Sequence, residues 1–279
     1  MNTAKILFLA VCLCTSALTH AQIRLSFNPT QGETYVYRFN SEQTTNQTVM
    51  GMEMPSTVTM DMLFAMTANN SNDNEVQVEF TYKEIATRMS SLMGNLEISS
   101  TLEGAAAQMF NAIIGKPIGV VFRRDGSVQS ISGLDAVTEG LNPADPSAAI
   151  LLSTFNEDAM RQMFEQSFNM YPSDAVNIGD SWNNDIQLSM MGMDSDIRST
   201  YTLRSVNGNI ATIDLVSVST TTIEQNEISG ESTGQITLDI NTGMIITSTM
   251  TTTMSGNFVM EGMAIAMNST ATVSMTLER

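Results

Sequence analysis

The stretch that decides the fold occurs twice, first as Gly32-Glu33-Thr34-Tyr35 followed by Met50-Gly51-Met52-Glu53-Met54. It returns as Gly179-Asp180-Ser181-Trp182 followed by Met190-Met191-Gly192-Met193-Asp194. Each copy reads glycine, acid, hydroxyl and aromatic, then a polar stretch, then methionine and glycine before a further acid. A glycine-containing turn between two strand-like stretches is typical of a β-hairpin. We interpret the stretch as one strand–turn–strand unit used twice, with Gly32, Tyr35, Gly179 and Trp182 as its architectural anchors.

Apolar and polar residues alternate on both sides of these units. Tyr35, Tyr37 and Phe39 alternate with mixed residues, and residues 76–82 alternate in the same way. A period of two predicts strands. The Asp125-Gly126 pair predicts a further hairpin.

Three segments interrupt the strand pattern and are predicted to be helical. Ser100-Thr101-Leu102-Glu103 fits a capping box before an apolar stripe that ends near Gly115. Residues 147–155 and 157–168 carry the other two helices. The prediction is therefore a mainly β (α+β) fold: a large curved antiparallel sheet or half-barrel built from two pseudo-repeats, with a few helices covering one face.

The first 21 residues have the three parts of a secretory signal peptide. Lys5 supplies the positive charge, residues 6–18 are apolar, and Thr19-His20-Ala21 is a cleavage site. The apolar run is too short to span a membrane. We expect a secreted protein, either periplasmic or at the outer-membrane or extracellular surface. The alternative is a lipoprotein anchored through Cys12, although Val11 is large for the position before that cysteine.

Residues 22–279 are expected to form a single β-rich domain, since this length can bury a full core. The first pseudo-repeat covers about residues 22–133, a helical connector about 134–170, and the second pseudo-repeat about 171–279.

Cleavage after Ala21 would remove Cys12, Cys14 and His20, which are all the cysteines and histidines of the chain. The remainder could form no disulfide and no nucleophile–histidine arrangement. It would also lack the nitrogen and sulfur ligands of ordinary zinc sites. We therefore predict no catalytic residues, no metal and no cofactor.

The chain is strongly acidic, with a formal net charge of −17. One of its 12 basic residues, Lys5, falls in the signal, which leaves 11 against 29 acids and a charge of −18. Such a body repels nucleic acid. We expect no nucleic-acid partner and no transmembrane segment in the mature chain.

Methionine is unusually frequent, at 23 of 279 residues. Its flexible side chain fills irregular cores and also lines adaptable apolar binding surfaces. Met60 and Met62 are expected to face the first methionine turn across a bend. The candidate apolar site comprises Met50, Met52, Met54, Met60, Met62, Phe64, Met190, Met191 and Met193.

Several motifs together resemble a known family. They are Ala21-Gln22, Gly32-Glu33-Thr34-Tyr35, the methionine–glycine turns, Lys116-Pro117 and Ile178-Gly179-Asp180-Ser181-Trp182. The chain resembles an uncharacterised family of secreted Bacteroidetes proteins, a domain of unknown function, and this resemblance brings no activity and no catalytic residues to transfer. The expected sheet is also similar in architecture to the periplasmic lipoprotein carriers, which supports function only by analogy.

The leading hypothesis is a non-enzymatic envelope protein that binds a lipid or another apolar ligand on a methionine-rich concave face. A structural or protein-interaction module of the envelope, with a protein partner and no small ligand, is the first alternative. A hydrolase would need paired acids, such as Asp194 with Asp196 or Glu33 with Asp180. A copper(I) site made of thioethers alone is the remaining alternative.

Overall fold

The computed structural model describes residues 22–103, 110, 112–139, 141, 144, 146–190, 193–223, 226–260 and 263–278. The predicted signal peptide lies outside them. Within this part, twelve strands form one sheet and three short helices follow the sixth strand. The strands are β1 (Thr34–Val49), β2 (Met52–Ser71), β3 (Glu75–Ser91), β4 (Gly94–Ser99), β5 (Pro117–Arg123), β6 (Val128–Ser132), β7 (Ser181–Met190), β8 (Met193–Asn207), β9 (Ile210–Ile223), β10 (Asn226–Asp239), β11 (Ile245–Met260) and β12 (Met263–Glu278). The helices are α1 (Leu134–Thr138), α2 (Pro146–Thr154) and α3 (Glu157–Phe168).

All neighbouring strands are antiparallel, in the order β6-β5-β3-β2-β1-β12-β11-β10-β9-β8-β7, and β4 pairs with β3. The first strand lies beside the last, with Val36 opposite Glu278 and Val49 opposite Ile265. The sheet is open, because β6 and β7 stand at its two edges. The predicted mainly β fold, a large antiparallel sheet with a few helices, is confirmed.

The N-terminal segment, residues 22–31, joins the two halves of the sheet at one end. The Phe27 N–H donates to the Arg124 carbonyl and the Asn28 N–H to the Thr242 carbonyl, both at 2.8 Å. These carbonyls belong to the β5–β6 and β10–β11 turns. Gly243 has φ +69°, and a Cβ there would lie 2.0 Å from the Ser26 carbonyl oxygen, so only glycine allows this close approach.

The core occupies one side of the sheet at the end that the N-terminal segment crosses. Asn156 caps the N-terminus of helix α3, and its side chain accepts a hydrogen bond from the Ala159 N–H at 2.9 Å. The helix buries Met160, Phe164 and Phe168 against the sheet. The aromatic centre of this core comprises Phe27, Phe80, Phe122, Phe164 and Phe168.

The two copies of the repeated unit form matching backbone hydrogen bonds. The Gly32 N–H donates to the Ala68 carbonyl, and the Gly179 N–H to the Leu203 carbonyl, each at 2.7 Å. Both glycines have positive φ, 83° and 96°. Each unit opens a hairpin, β1–β2 or β7–β8, with a two-residue connection.

The predicted capping box at residues 100–103 does not form. The Ser100 hydroxyl accepts from the Ile85 N–H at 3.0 Å, and the Leu102 N–H donates to the Ser99 carbonyl at 3.2 Å. The hydroxyl therefore completes the end of the β3–β4 pairing instead of a helix terminus. Residues 104–109 of that predicted helix lie outside the described residues. None of the described helices is long and apolar enough to cross a membrane.

Candidate functional site

The side of the sheet that carries the core continues along the strands beyond it. Directly opposed residues on antiparallel strands point to the same side, so the pairing register traces this side from strand to strand. We call it the core side. One row across it runs through Ser41, Val273, Met250, Gly234, Leu215, Tyr201 and Trp182.

A cavity of about 440 Å³ lies on the core side, over strands β7 to β12. Ile186 of β7 and Phe39 of β1 both line it. Gln166 and Ser167 of α3 also line this cavity. Six strand spacings of about 4.8 Å would hold β7 and β1 roughly 29 Å apart in a flat sheet. The sheet therefore curves around the cavity. Its volume lies within the range of about 300–1,000 Å³ typical of small-molecule sites.

Apolar side chains supply much of the wall. They include Met250, Met254, Met275, Ile197 and Leu215. On the same side of β10 stands Gly234, where a Cβ would lie 2.6 Å from the Thr249 carbonyl oxygen and 3.3 Å from the Met250 Cβ. Because Gly234 has no side chain, Met250 can occupy this part of the cavity wall.

Hydroxyl groups complete the wall, and they pair with one another across neighbouring strands. Ser199 pairs with Ser217 at 2.8 Å, and both side chains are buried. The same distance joins the hydroxyls of two further pairs, Ser195 with Thr221 and Ser232 with Thr252. Because these groups satisfy each other within the wall, the cavity makes few hydrogen-bonding demands on a ligand.

The cavity carries no Asp, Glu, Lys or Arg among its described lining residues, in a chain whose formal charge is −17. Its ionisable group is the Tyr201 phenol. Burial raises the pKa of Tyr201, against a smaller opposite effect of the hydrogen bond with Ser199. The tyrosine is therefore neutral over the physiological range, and the lining suits an uncharged, apolar group.

The structure places the first group of predicted methionines away from this cavity. Met50 stands on the β1–β2 turn and is 79% exposed. Met52, Met54 and Met60 are exposed along β2. The expectation that Met60 and Met62 face the turn methionines across a bend is wrong, because residues 52–71 form one continuous strand.

The other predicted site residues lie outside the cavity lining or have side chains that the structure does not describe. Met62 and Phe64 are half-buried and pack against the core, where the Phe64 ring stacks on Tyr37 at 5.5 Å. Met190 and Met193 are paired at the β7–β8 turn, but their side chains, and all of Met191, lie outside the described residues.

Four methionines that do line the cavity were not among the predicted site residues: Met170, Met250, Met254 and Met275. A signal was present in β11, where Met250, Thr252 and Met254 recur with a period of two. That period places them on one side of the strand. The threonines between them made the strand resemble a polar surface strand.

The aromatic anchors of the repeated unit each form a hydrogen bond near a chain turn. The Tyr35 hydroxyl accepts from the Thr30 N–H at 3.0 Å and donates to the Glu33 carboxylate at 3.1 Å. The Trp182 indole donates to the Met170 carbonyl at 2.8 Å, and its ring stacks on Tyr201 at 5.8 Å. Trp182 therefore supports one wall of the cavity.

Two of the acids considered for catalysis, Asp180 and Asp196, accept hydrogen bonds from neighbouring side chains. The Asp180 carboxylate accepts from the backbone and the side-chain nitrogen of Asn177, at 2.8 and 3.0 Å, and these bonds lower the pKa of Asp180. Asp194 and Asp196 are exposed on the side of β8 opposite to the core side, where Gln187 donates to Asp196 at 2.9 Å. No group of three or more acids, cysteines or histidines that could hold a metal occurs in the described part of the chain.

Comparison with solved structures bears on the fold. A structure of lipovitellin, described as "Lipid-protein interactions in lipovitellin", superposes with a TM-score of 0.51 at 11% identity, over 91% of this chain and 25% of the other. The present chain thus spans about a quarter of lipovitellin's length, and the likeness shows a shared fold alone. DynF of Micromonospora chersina (9% identity, 91% and 84% covered) and OccK7 of Pseudomonas aeruginosa (5%, 88% and 99%) give TM-scores of 0.25 and 0.23, too low to carry an argument.

Comparison with protein families assigns the chain to one family. No curated protein matches its sequence. The profile described as "Family of unknown function (DUF6263)" matches residues 73–245, which run from the β2–β3 turn to the start of β11. This match covers more than half of the 279 residues. The chain belongs to the DUF6263 family.

Proposed function

We propose that this protein is a non-enzymatic carrier or binding protein that holds an apolar ligand, such as the acyl chain of a lipid, in the cavity between α3 and strands β7–β12. The observation that carries the proposal is the lining: a space of about 440 Å³ with methionine and aliphatic walls, paired hydroxyls and no charged side chain among its described residues. A location in the cell envelope, reached through the predicted signal peptide, belongs to the same proposal.

The energetics of such binding are sufficient for a useful affinity. Each buried methylene contributes about 0.8 kcal/mol. About ten methylenes in the cavity would gain roughly 8 kcal/mol before ordering costs, which corresponds to dissociation constants in the micromolar range or weaker. The flexible methionines Met250, Met254 and Met275 can adapt to chains of different length and unsaturation.

The lipovitellin likeness supports the choice of ligand class by analogy. That structure is described as one of lipid–protein interactions, and its sheet shares the present fold over 91% of this chain. At 11% identity the ligand does not transfer with the fold, so the cavity lining remains the main support.

A pair of matched variants tests the proposal. Met250→Asp with Met254→Asp introduces two carboxylates into the cavity wall, and Met52→Asp with Met54→Asp makes the same chemical change on the exposed part of β2. Both variants change the net charge equally, so general electrostatic effects on the ligand cancel in the comparison. Binding is measured by the fluorescence of cis-parinaric acid titrated into each purified protein, with circular dichroism as the check on folding.

The proposal predicts that the cavity variant loses at least roughly tenfold in affinity, because the carboxylates must be desolvated beside the chain. The β2 variant should bind like the original protein. Equal affinity in all three proteins would contradict the assignment of the site, and a folded original protein without saturable binding would favour the structural or interaction module.

A further inference from the structure

Exposed apolar side chains gather at one end of the sheet. The β1–β2, β3–β4 and β11–β12 turns all lie at the end opposite to the N-terminal segment. Among the described residues, nine of the fifteen large apolar side chains that are exposed lie within three residues of one of these turns. We call these nine the apolar fringe; they are Met50, Met52, Met54, Met89, Leu92, Met93, Leu96, Val259 and Met263.

The side chains at the turn tips are the most exposed members of the fringe. Met93 is 91% exposed and Leu92 is 70% exposed, both at the β3–β4 turn. Met50 and Gly51 have φ of 51° and 82°, so the β1–β2 connection is a tight turn with its methionine at the tip. Exposed apolar residues scattered singly are ordinary, but a cluster of this size marks an interaction surface.

The apolar fringe connects with the cavity along the core side of the sheet. Met52 lies opposite Val49, Val49 opposite Ile265, and Ile265 opposite Phe258, on four consecutive strands. Ile265 and Phe258 form a small buried cluster with Ile228, and Met254 packs against that cluster. Because Met254 also lines the cavity, an apolar surface runs from the turns to the candidate site.

The net charge of the molecule limits the kinds of partner that the apolar fringe can bind. The formal charge of −17 repels a second copy of the chain and repels anionic surfaces. Glu53 and Glu97 add negative charge beside the fringe, where Arg88 is engaged by Glu97 and Asp61. A neutral lipid surface carries no such penalty, and it accepts flexible apolar side chains at the boundary between headgroups and acyl chains.

We propose that the apolar fringe docks the protein on a zwitterionic lipid surface, which brings the cavity close to the source of its ligand. The role of the docking rests on the proposed function, but the attachment itself is independent of it and is measured separately.

The test is flotation of the full protein with vesicles of phosphatidylcholine, and with vesicles that also contain phosphatidylglycerol. The fringe variant combines Met52→Asp, Leu92→Asp and Met93→Asp. Its matched control combines Ile210→Asp, Val216→Asp and Val218→Asp, which are exposed apolar residues away from these turns. Both triple variants change the net charge by the same amount, so only the position of the change differs.

We expect the original protein and the control to float with phosphatidylcholine vesicles, and the fringe variant to lose roughly tenfold or more in partitioning. Anionic lipid should weaken the attachment. Equal flotation of the two triple variants, no flotation of the original protein, or stronger binding to the anionic vesicles would overturn the proposal. So would a dimer in solution that only the fringe variant abolishes, since the fringe would then be covered by a second copy.

The two proposals fail separately. The cavity variant Met250→Asp/Met254→Asp should still float if docking is correct, whether or not it binds cis-parinaric acid. The fringe variant should still bind cis-parinaric acid if the cavity assignment is correct, whether or not it floats.

Discussion

At the scale of single residues, hydrogen bonds within the two copies of the glycine–acid–hydroxyl–aromatic motif stabilise the turns that precede β1 and β7. Asp180 and Glu33 occupy equivalent positions, and each carboxylate accepts a bond within its own turn. These two acids, which were considered for catalysis, therefore fix turns. Their position beside a positive-φ glycine, Gly32 or Gly179, explains why the motif repeats glycine and acid together.

The Asp180 carboxylate gives the folding stability a dependence on pH. The Asn177 bonds favour its charged form, so its pKa is lower in the folded than in the unfolded chain. The stabilisation is present above the unfolded pKa and disappears as the pH falls through the lower folded pKa. Asp180→Asn should therefore reduce the urea midpoint at neutral pH, and the difference from the original protein should vanish in acid. A difference that stays constant with pH would contradict this role.

At the scale of elements, the paired hydroxyls of β8 and β9 are the unusual feature of the wall. Ser199 and Ser217 are buried, face each other at 2.8 Å, and line the cavity beside apolar side chains such as Ile197 and Leu215. A buried hydroxyl without a partner costs about 1–3 kcal/mol, whereas removing both partners is close to neutral.

This pair predicts a strong non-additivity. Ser199→Ala and Ser217→Ala should each destabilise the protein by roughly 1 kcal/mol, and the double variant should cost no more than either single change. Urea unfolding of the four proteins measures the coupling. Simple addition of the two single effects would show that the hydroxyls act independently.

The hairpins of the sheet could be predicted from sequence because their signals are local. Asp125-Gly126 and the methionine–glycine turns all fall between strands that pair with each other. The pairing of β1 with β12 could not be predicted in this way, since it joins residues more than two hundred positions apart. The crossing of the N-terminal segment between two turns depends on the same long-range packing.

The site was only partly predictable for a related physical reason. Period two identifies the side of a strand on which a residue lies, but β2 is twenty residues long and only part of it meets the core. Met66 is fully buried, whereas Met52 and Met54 on the same side of β2 are exposed beyond the core. The sequence shows which side of a strand is apolar, but it does not show which part of that side is covered by other elements. The predicted site therefore included exposed fringe residues, whereas the cavity lies over β7–β12.

At the scale of the whole molecule, the two ends of the sheet have different roles. The N-terminal segment and the helices close one end over an aromatic core. The opposite end carries the apolar fringe, and the cavity lies between them on the core side. This arrangement suits a protein that takes an apolar ligand from a surface at one end and shields it under α3.

The most direct measurement is a crystal structure of the protein with a fatty acid brominated at its terminal carbon. We expect an anomalous bromine peak inside the cavity, within about 4 Å of Met250, Met254 or Leu215. A peak only on the opposite side of the sheet or at the fringe, or none in crystals soaked at saturating concentration, would show that the cavity is not the ligand site.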